Sequence, residues 1–409
     1  MNFVFDKIED FIKEYRKTES YSHDCCCGGN RKFLLEDSNV IIGDYCITVV
    51  ECPILKCQKC YKYKLGNRMP KQIQYAYTDL SNSEYSSCRL TTKLERFQYV
   101  EYANFVYDGR DLNIPGIGFD LDPTNSKGFS CPVFFDKKVL NNFYTDNDYS
   151  LNMFSESYGD IAKRGTDGWD WEWNIPFGIN KNGNVILFLG DLEQIDKDDR
   201  AILWLKSYNI KSDHEILDTE FYRAQFLNEF SEPIIEKRII NLRNCFFERV
   251  EREFGIALHH LEEEVEASAN ELRKPINYSK SEIKENIIIL DGLLNEGIDC
   301  NRLRELYVRV VNPLPDNYKD LKTRKLLQGI IAAVEGTDFA KSMISSLFYL
   351  NDLRVCYAHL ISSSEIDKMM GRIIVAYGLV SEDEFKKLYC RLIKELYELY
   401  SLLMIIQFT

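Results

Sequence analysis

The sequence predicts an α+β chain of several domains, and three changes of texture along its 409 residues predict it. Seven of the thirteen cysteines crowd between Cys25 and Cys60. A middle stretch rich in Gly, Asn, Asp and aromatics then sets short apolar runs between turn signals, the pattern of strands and hairpins. From about 233 the spacing of apolar residues becomes helical, with no proline after Pro315. The expected organisation is an N-terminal helix and cysteine-rich segment at 1–90, a β-rich domain of open role at 91–232, and a helical bundle at 233–409.

The first segment opens on an amphipathic stretch, "MNFVFDKIEDFIKEYRK", broken by charges and so unlike the apolar core of a signal peptide. No run of about 18 uncharged apolar residues occurs, so no membrane span is expected and a cytoplasmic location follows. In such a setting clustered cysteines point to metal binding rather than disulfides. "HDCCCGGN" and "ECPILKCQKC" are separated by two expected strands, "KFLLED" and "YCITVVEC". Cys57-x-x-Cys60 has the bite of a knuckle that offers two thiolates to one tetrahedral ion. The first half is less regular, because the usual spacing would need a cysteine where Asp24 stands. Cys25 and Cys27 are the chosen ligands, with Cys26 in reserve and His23 a poorer candidate. The arrangement resembles the zinc ribbons at the start of certain bacterial toxin–antitoxin and regulatory proteins, which implies a structural zinc on Cys25, Cys27, Cys57 and Cys60. The other six cysteines are read as core residues.

In the middle region, "IPFGINKNGNVILFLGD" reads as a strand, a turn over Asn180–Asn184 and a strand over Val185–Leu189. "GFSCPVFF" reads as another strand. Trp169, Trp171 and Trp173 alternate, which in a strand points all three to one face, as core or as a base-stacking platform.

The helical region contains "LNDLRVCYAHL", residues 350–360. On a helical wheel Met343, Leu347 and Leu350 form a stripe, and Arg354 falls on its centre line. A guanidinium there needs a partner or a cleft. His359 lies about 140° round, so one straight helix does not unite the two. Either the helix loosens near His359, or a second copy completes a site. Farther on, Ser381-x-x-Glu384 is expected to cap the last helix.

Arg354-x4-His359, preceded by Asn351-Asp352 and followed by another long helix, resembles the signature of the HEPN superfamily, over about 236–409. A polar residue often follows the arginine in that family; here it is Val355. The resemblance implies a metal-independent endoribonuclease of phage defence, abortive infection or toxin systems, acting as a homodimer or higher homo-oligomer on RNA under a phage-derived trigger. His359 would move protons, Arg354 would stabilise charge on the phosphate, and Asn351 would accompany them. Two alternatives stand beside this. Arg354 could pair with a carboxylate on Asp352 or a neighbouring helix while His359 caps the helix end. The protein could also be a non-catalytic zinc-ribbon regulator, or an RNA- or nucleotide-binding protein whose bundle dimerises or docks a partner.

A net charge of −13 excludes a general nucleic-acid coat protein but leaves room for a local basic site. There is no phosphate-cradling glycine loop, no Gly-x-Ser-x-Gly elbow and no dinucleotide fingerprint, which excludes conventional NTPase, hydrolase and dehydrogenase readings. "LHHLEEEVEAS" sets His259 and Glu263, and His260 and Glu264, one turn apart, and is read as a solvated helix face. The acidic stretches "GFDLDPTNSKG" and "GDLEQIDKDDR" are read as loops.

Overall fold

Five strands from the N-terminal region assemble into one sheet in the computed structural model, which describes residues 1–16, 24–92, 96–117, 128–165, 170–195, 197–259, 263–381 and 383–408. The elements are β1 (Asn2–Phe5), α1 (Ile8–Arg16), β2 (Arg31–Ile42), β3 (Tyr45–Cys57), β4 (Tyr63–Leu65), α2 (Met69–Ser81) and β5 (Ser87–Thr91). β2 and β3 form a long antiparallel hairpin over Gly43, whose φ of +57° a glycine adopts without strain. Their register sets Ile42 opposite Tyr45 at the turn and Arg31 opposite Cys57 at the far end. The stretch before β2 and the stretch after β3 therefore emerge side by side. Phe11, Val40, Ile47, Ile54, Leu65 and Ile73 build a core between this sheet and its helices. The cysteine-bearing hairpin is thus part of a five-stranded sheet, larger than a free-standing ribbon.

The second sheet comprises β6 (Pro132–Asp136), β7 (Tyr149–Met153), β8 (Tyr158–Arg164), β9 (Trp171–Ile179), β10 (Asn184–Phe188) and β11 (Asn209–Ile210), with α3 (Val139–Thr145), α4 (Asp199–Tyr208) and α5 (Glu220–Leu227). Its order is β11-β6-β10-β9-β8-β7, antiparallel throughout. The expected turn is there: the Asn180 side-chain oxygen accepts the N–H groups of Asn182 and Asn184, both at 3.0 Å, and Gly183 has φ +82°. Trp171 and Trp173 do not share an environment. The register of β8 against β9 shifts between Lys163 and Arg164, leaving Trp171 exposed while Trp173 is buried and donates to Asp198 at 3.3 Å. Trp169 lies outside the described residues.

Both sheets belong to one compact unit, Met1–Glu232. Lys32 pairs with Glu215 at 2.6 Å, and Arg110 bridges Asp108 and Glu51 at 2.6 and 2.5 Å.

The second unit, Pro233–Thr409, is helical. It contains α6 (Ile235–Phe254), α7 (Glu263–Glu271), α8 (Lys280–Asp291), α9 (Cys300–Val310), α10 (Thr323–Glu335), α11 (Thr337–Ala358), α12 (Ser363–Tyr377) and α13 (Phe385–Ile405). Leucines 347, 350, 353, 392, 396 and 403 are all fully buried in its core. Capping boxes start α8 at Ser279/Glu282 and α12 at Ser362/Glu365. The box expected at Ser381/Glu384 does not start α13. Its N-cap is Glu384, whose carboxylate folds back to accept the Val380 N–H at 2.5 Å and pairs with Lys387, so the helix begins at Phe385. At the end of α8 the backbone widens into a π-helical turn, Gly292–Glu296. Among the described residues no helix is long and apolar enough to cross a membrane.

Candidate metal centre and candidate catalytic pair

The hairpin register brings two cysteine turns together. In the first, Gly28 N–H bonds to Cys25 O at 2.8 Å and Cys25 N–H bonds to Gly29 O at 2.9 Å, with Gly28 at φ +69°. The turn therefore offers Cys25 and Cys27 across a single intervening residue. In the second, the N–H groups of Lys59 and Cys60 both point at Cys57 Sγ, each at 3.4 Å. Gly29 sits where they meet: a Cβ there would lie 2.6 Å from Lys59 Cβ and 2.9 Å from Cys57 Sγ. The Sγ atoms of Cys25, Cys27, Cys57 and Cys60 all lie within 4.8 Å of one another, an arrangement that can hold a metal ion. Cys25 and Cys60 are 3.5 Å apart, as are Cys27 and Cys57. Cys26 is exposed and outside this group, and His23 is outside the described residues.

Backbone N–H groups aimed at sulfur favour the thiolate that a metal takes. The Cys27 N–H, followed by Cys60 and Arg31, draws the Cys25 thiol down to about 6 against its burial. The N–H groups of Cys60 and Lys59 draw Cys57 down as well. Cys27 is pushed up to about 12, first by burial and then by the neighbouring thiols. Among the scattered cysteines, Cys131 is buried as expected, but Cys245 and Cys390 are exposed.

The pair Arg354 and His359 is arranged differently. Arg354 is three-quarters buried near the end of α11, and its partners are the last residue of α8 and the last residue of the π-helical turn. Its Nε lies 3.5 Å from Asp291 Oδ2 and its Nη1 2.9 Å from Glu296 Oε1. The widened turn puts Asp291, Asn295 and Glu296 on one side, and Asn295 donates to Asp291 at 2.5 Å. Arg243, itself buried, donates to the carbonyls of Leu293 and Gly297 at 3.0 and 3.2 Å. Burial pushes the Asp291 carboxyl above its usual range, against the opposing pull of Asn295, Arg354 and Asn351. Asp352 pairs elsewhere, with Arg372 at 3.0 Å. His359 ends α11 as its C-cap, with φ −114° and ψ 150°, and is exposed. The helix stops at the histidine rather than loosening to bring it back toward Arg354.

One cluster carried no sequence signal. Asp111 is fully buried, 2.6 Å from His214 Nδ1, and accepts the Ser212 hydroxyl at 2.7 Å. His214 holds φ +62°, left-handed backbone that a histidine rarely adopts. The residues are about a hundred apart in sequence, and no spacing rule links them. Burial alone would lower the His214 pKa, but Asp111 outweighs it and the net shift is upward. Of the other constellations, His259 precedes α7 and stacks on Phe247, 6.1 Å away, while His260 lies outside the described residues. "GFDLDPTNSK" also lies outside them, and Asp191 in "GDLEQIDKDDR" is raised to about 6 by burial.

Comparison with protein-family models, with curated proteins and with solved structures finds no match for this chain.

Proposed function

We propose that this protein holds a structural zinc ion on Cys25, Cys27, Cys57 and Cys60, and that its helical unit is a metal-independent endoribonuclease of the HEPN type. Thiolates bound to one tetrahedral zinc at about 2.3 Å stand about 3.8 Å apart, a value bracketed by the sulfur separations, 3.5 Å for two pairs and at most 4.8 Å for the others. Four thiolates close the coordination shell, so the ion staples the knuckles and does no chemistry. The ribonuclease reading rests on one observation: an exposed histidine ends α11 five residues beyond an arginine held by carboxylates at Nε and Nη1. The guanidinium is a quarter exposed, and a phosphate oxygen reaching that exposed part would complete its contacts. A second copy would complete the site, and by resemblance the activity would serve phage defence or toxicity. A second reading is favoured by the Asp291–Arg354–Glu296 contacts: Arg354 as a structural tie in a non-catalytic zinc-ribbon regulator. Incubating total RNA with purified protein in EDTA tests the choice. Cleavage supports the ribonuclease, and intact RNA leaves the regulator.

A further inference from the structure

The face of α11 that carries Arg354 is acidic, with Asp291 and Glu296 in direct contact with the guanidinium. It is a poor source of affinity for a polyanion, and the chain as a whole carries −13. If His359 acts on RNA, the strand must be held elsewhere.

One part of the helical unit has the opposite character. An open groove of about 840 Å³ runs between α10, α11 and α12. Lys325, Lys341, Lys368 and Arg372 line it. Phe348 forms part of its wall, with Arg324 4.8 Å and Lys325 5.4 Å from the ring centre, so cation–π contacts hold two further-reaching charges at the groove. Three carboxylates oppose these five cations. Asp367 lines the groove, Asp338 lies 3.6 Å from Lys341, and Asp352 pairs with Arg372. The balance stays positive. The volume lies within the range of small-ligand pockets, enough for a few nucleotides of a single strand.

The groove also has a direction. Lys341 and His359 are eighteen residues apart, about five full helical turns, so the Cα of the C-cap His359 comes at about the angle of Lys341 on the wheel, just past the end of the helix. Arg354 falls about 140° away from that line. From Phe348 to His359 is about 16 Å along the axis, within the reach of a short strand. We propose that the α10–α11–α12 groove binds single-stranded RNA through its phosphates and leads the strand to His359. This rests on the ribonuclease reading for the role of His359, while the groove as a binding site stands on its own charges.

The test uses the full-length His359→Ala protein, which cannot consume the probe, and fluorescence anisotropy with a labelled oligouridine. Binding is expected, and Lys341→Glu with Lys368→Glu should weaken it by on the order of tenfold or more and make the salt dependence shallower by about 1.4 in log–log slope. Both lysines are exposed, and an unchanged thermal melt shows that the fold is kept. Unchanged affinity in the double variant, or equal affinity for an RNA duplex, overturns the proposal. Groove-dependent binding by a wild-type protein that never cuts RNA upholds the groove and ends the ribonuclease reading.

Discussion

The cysteine turns and the end of α11 solve the problem of assembling a site in opposite ways. Around Cys25, Cys27, Cys57 and Cys60 everything needed is in one place. A hairpin register fixes the distance, two turns aim the sulfurs, and Gly29 lets the turns touch. At α11, Arg354 faces inward to Asp291 while His359 faces outward at the helix end. The first arrangement is closed and suits a structural ion. The second is divided, and the proposed ribonuclease requires something else, a second copy or a substrate, to span the gap. Density of polar groups does not separate the two arrangements; what separates them is whether the groups converge on one point.

The largest effect expected is on the closed site. Purified protein should carry one zinc per chain, and Cys57→Ser should lose it. Binding of structural zinc contributes on the order of 10–16 kcal/mol in isolated zinc-finger peptides. Here the sheet has its own core, so unfolding should be confined to the knuckles. Hydrogen exchange after chelation should rise over residues 24–30 and 58–62 while β2 and β3 stay protected. Well under one zinc per chain in the wild type removes the contrast altogether.

Next in size is His359. Its replacement by alanine should lower RNA cleavage by about 10²–10⁴ and leave the melting temperature unchanged, because the side chain is exposed at a helix end. Cleavage at the wild-type rate ends the assignment to this residue.

Arg354→Ala sharpens the comparison, because here the two readings predict different losses. As a tie it should cost about 3–5 kcal/mol by stranding the buried carboxylate of Asp291, toward the lower end because the guanidinium is a quarter exposed. Asp291→Asn combined with Arg354→Ala should recover part of that stability but no activity. If Arg354→Ala melts like the wild type, the ion pair is not what places the arginine.

The smallest effect concerns Asp111 and His214. A histidine whose pKa is raised in the folded state keeps a proton that the unfolded chain releases near 6.5. Its contribution to stability is complete below about pH 6.5 and fades as pH rises through the folded value. Burial raises the Asp111 pKa too, which acts in the same direction at lower pH. Thermal melts of His214→Gln should therefore differ from wild type most near pH 6 and least at alkaline pH. A difference that grows with pH would reverse the assignment.

Sequence alone determined what local chemistry determines. Cys57-x-x-Cys60, the Asn180–Asn184 turn and the apolar stripe through Leu347 and Leu350 depend on neighbours a few residues away, and each is recognisable by spacing. The stripe also required a partner for Arg354, without saying which. Tertiary structure decided the rest. Arg31 meets Cys57 only because a hairpin runs in one register, which brings the turn carrying Cys25 and Cys27, the pair already chosen from the sequence, against the knuckle of Cys57 and Cys60. Arg354 meets Asp291 at the end of α8 and Glu296 at the end of the π-helical turn that follows, a change of backbone that no apolar period announces. The Asp111–Ser212–His214 cluster and the cationic groove join residues from separate elements. Such contacts depend on packing, and packing is a property of the whole folded unit rather than of any short window of its sequence.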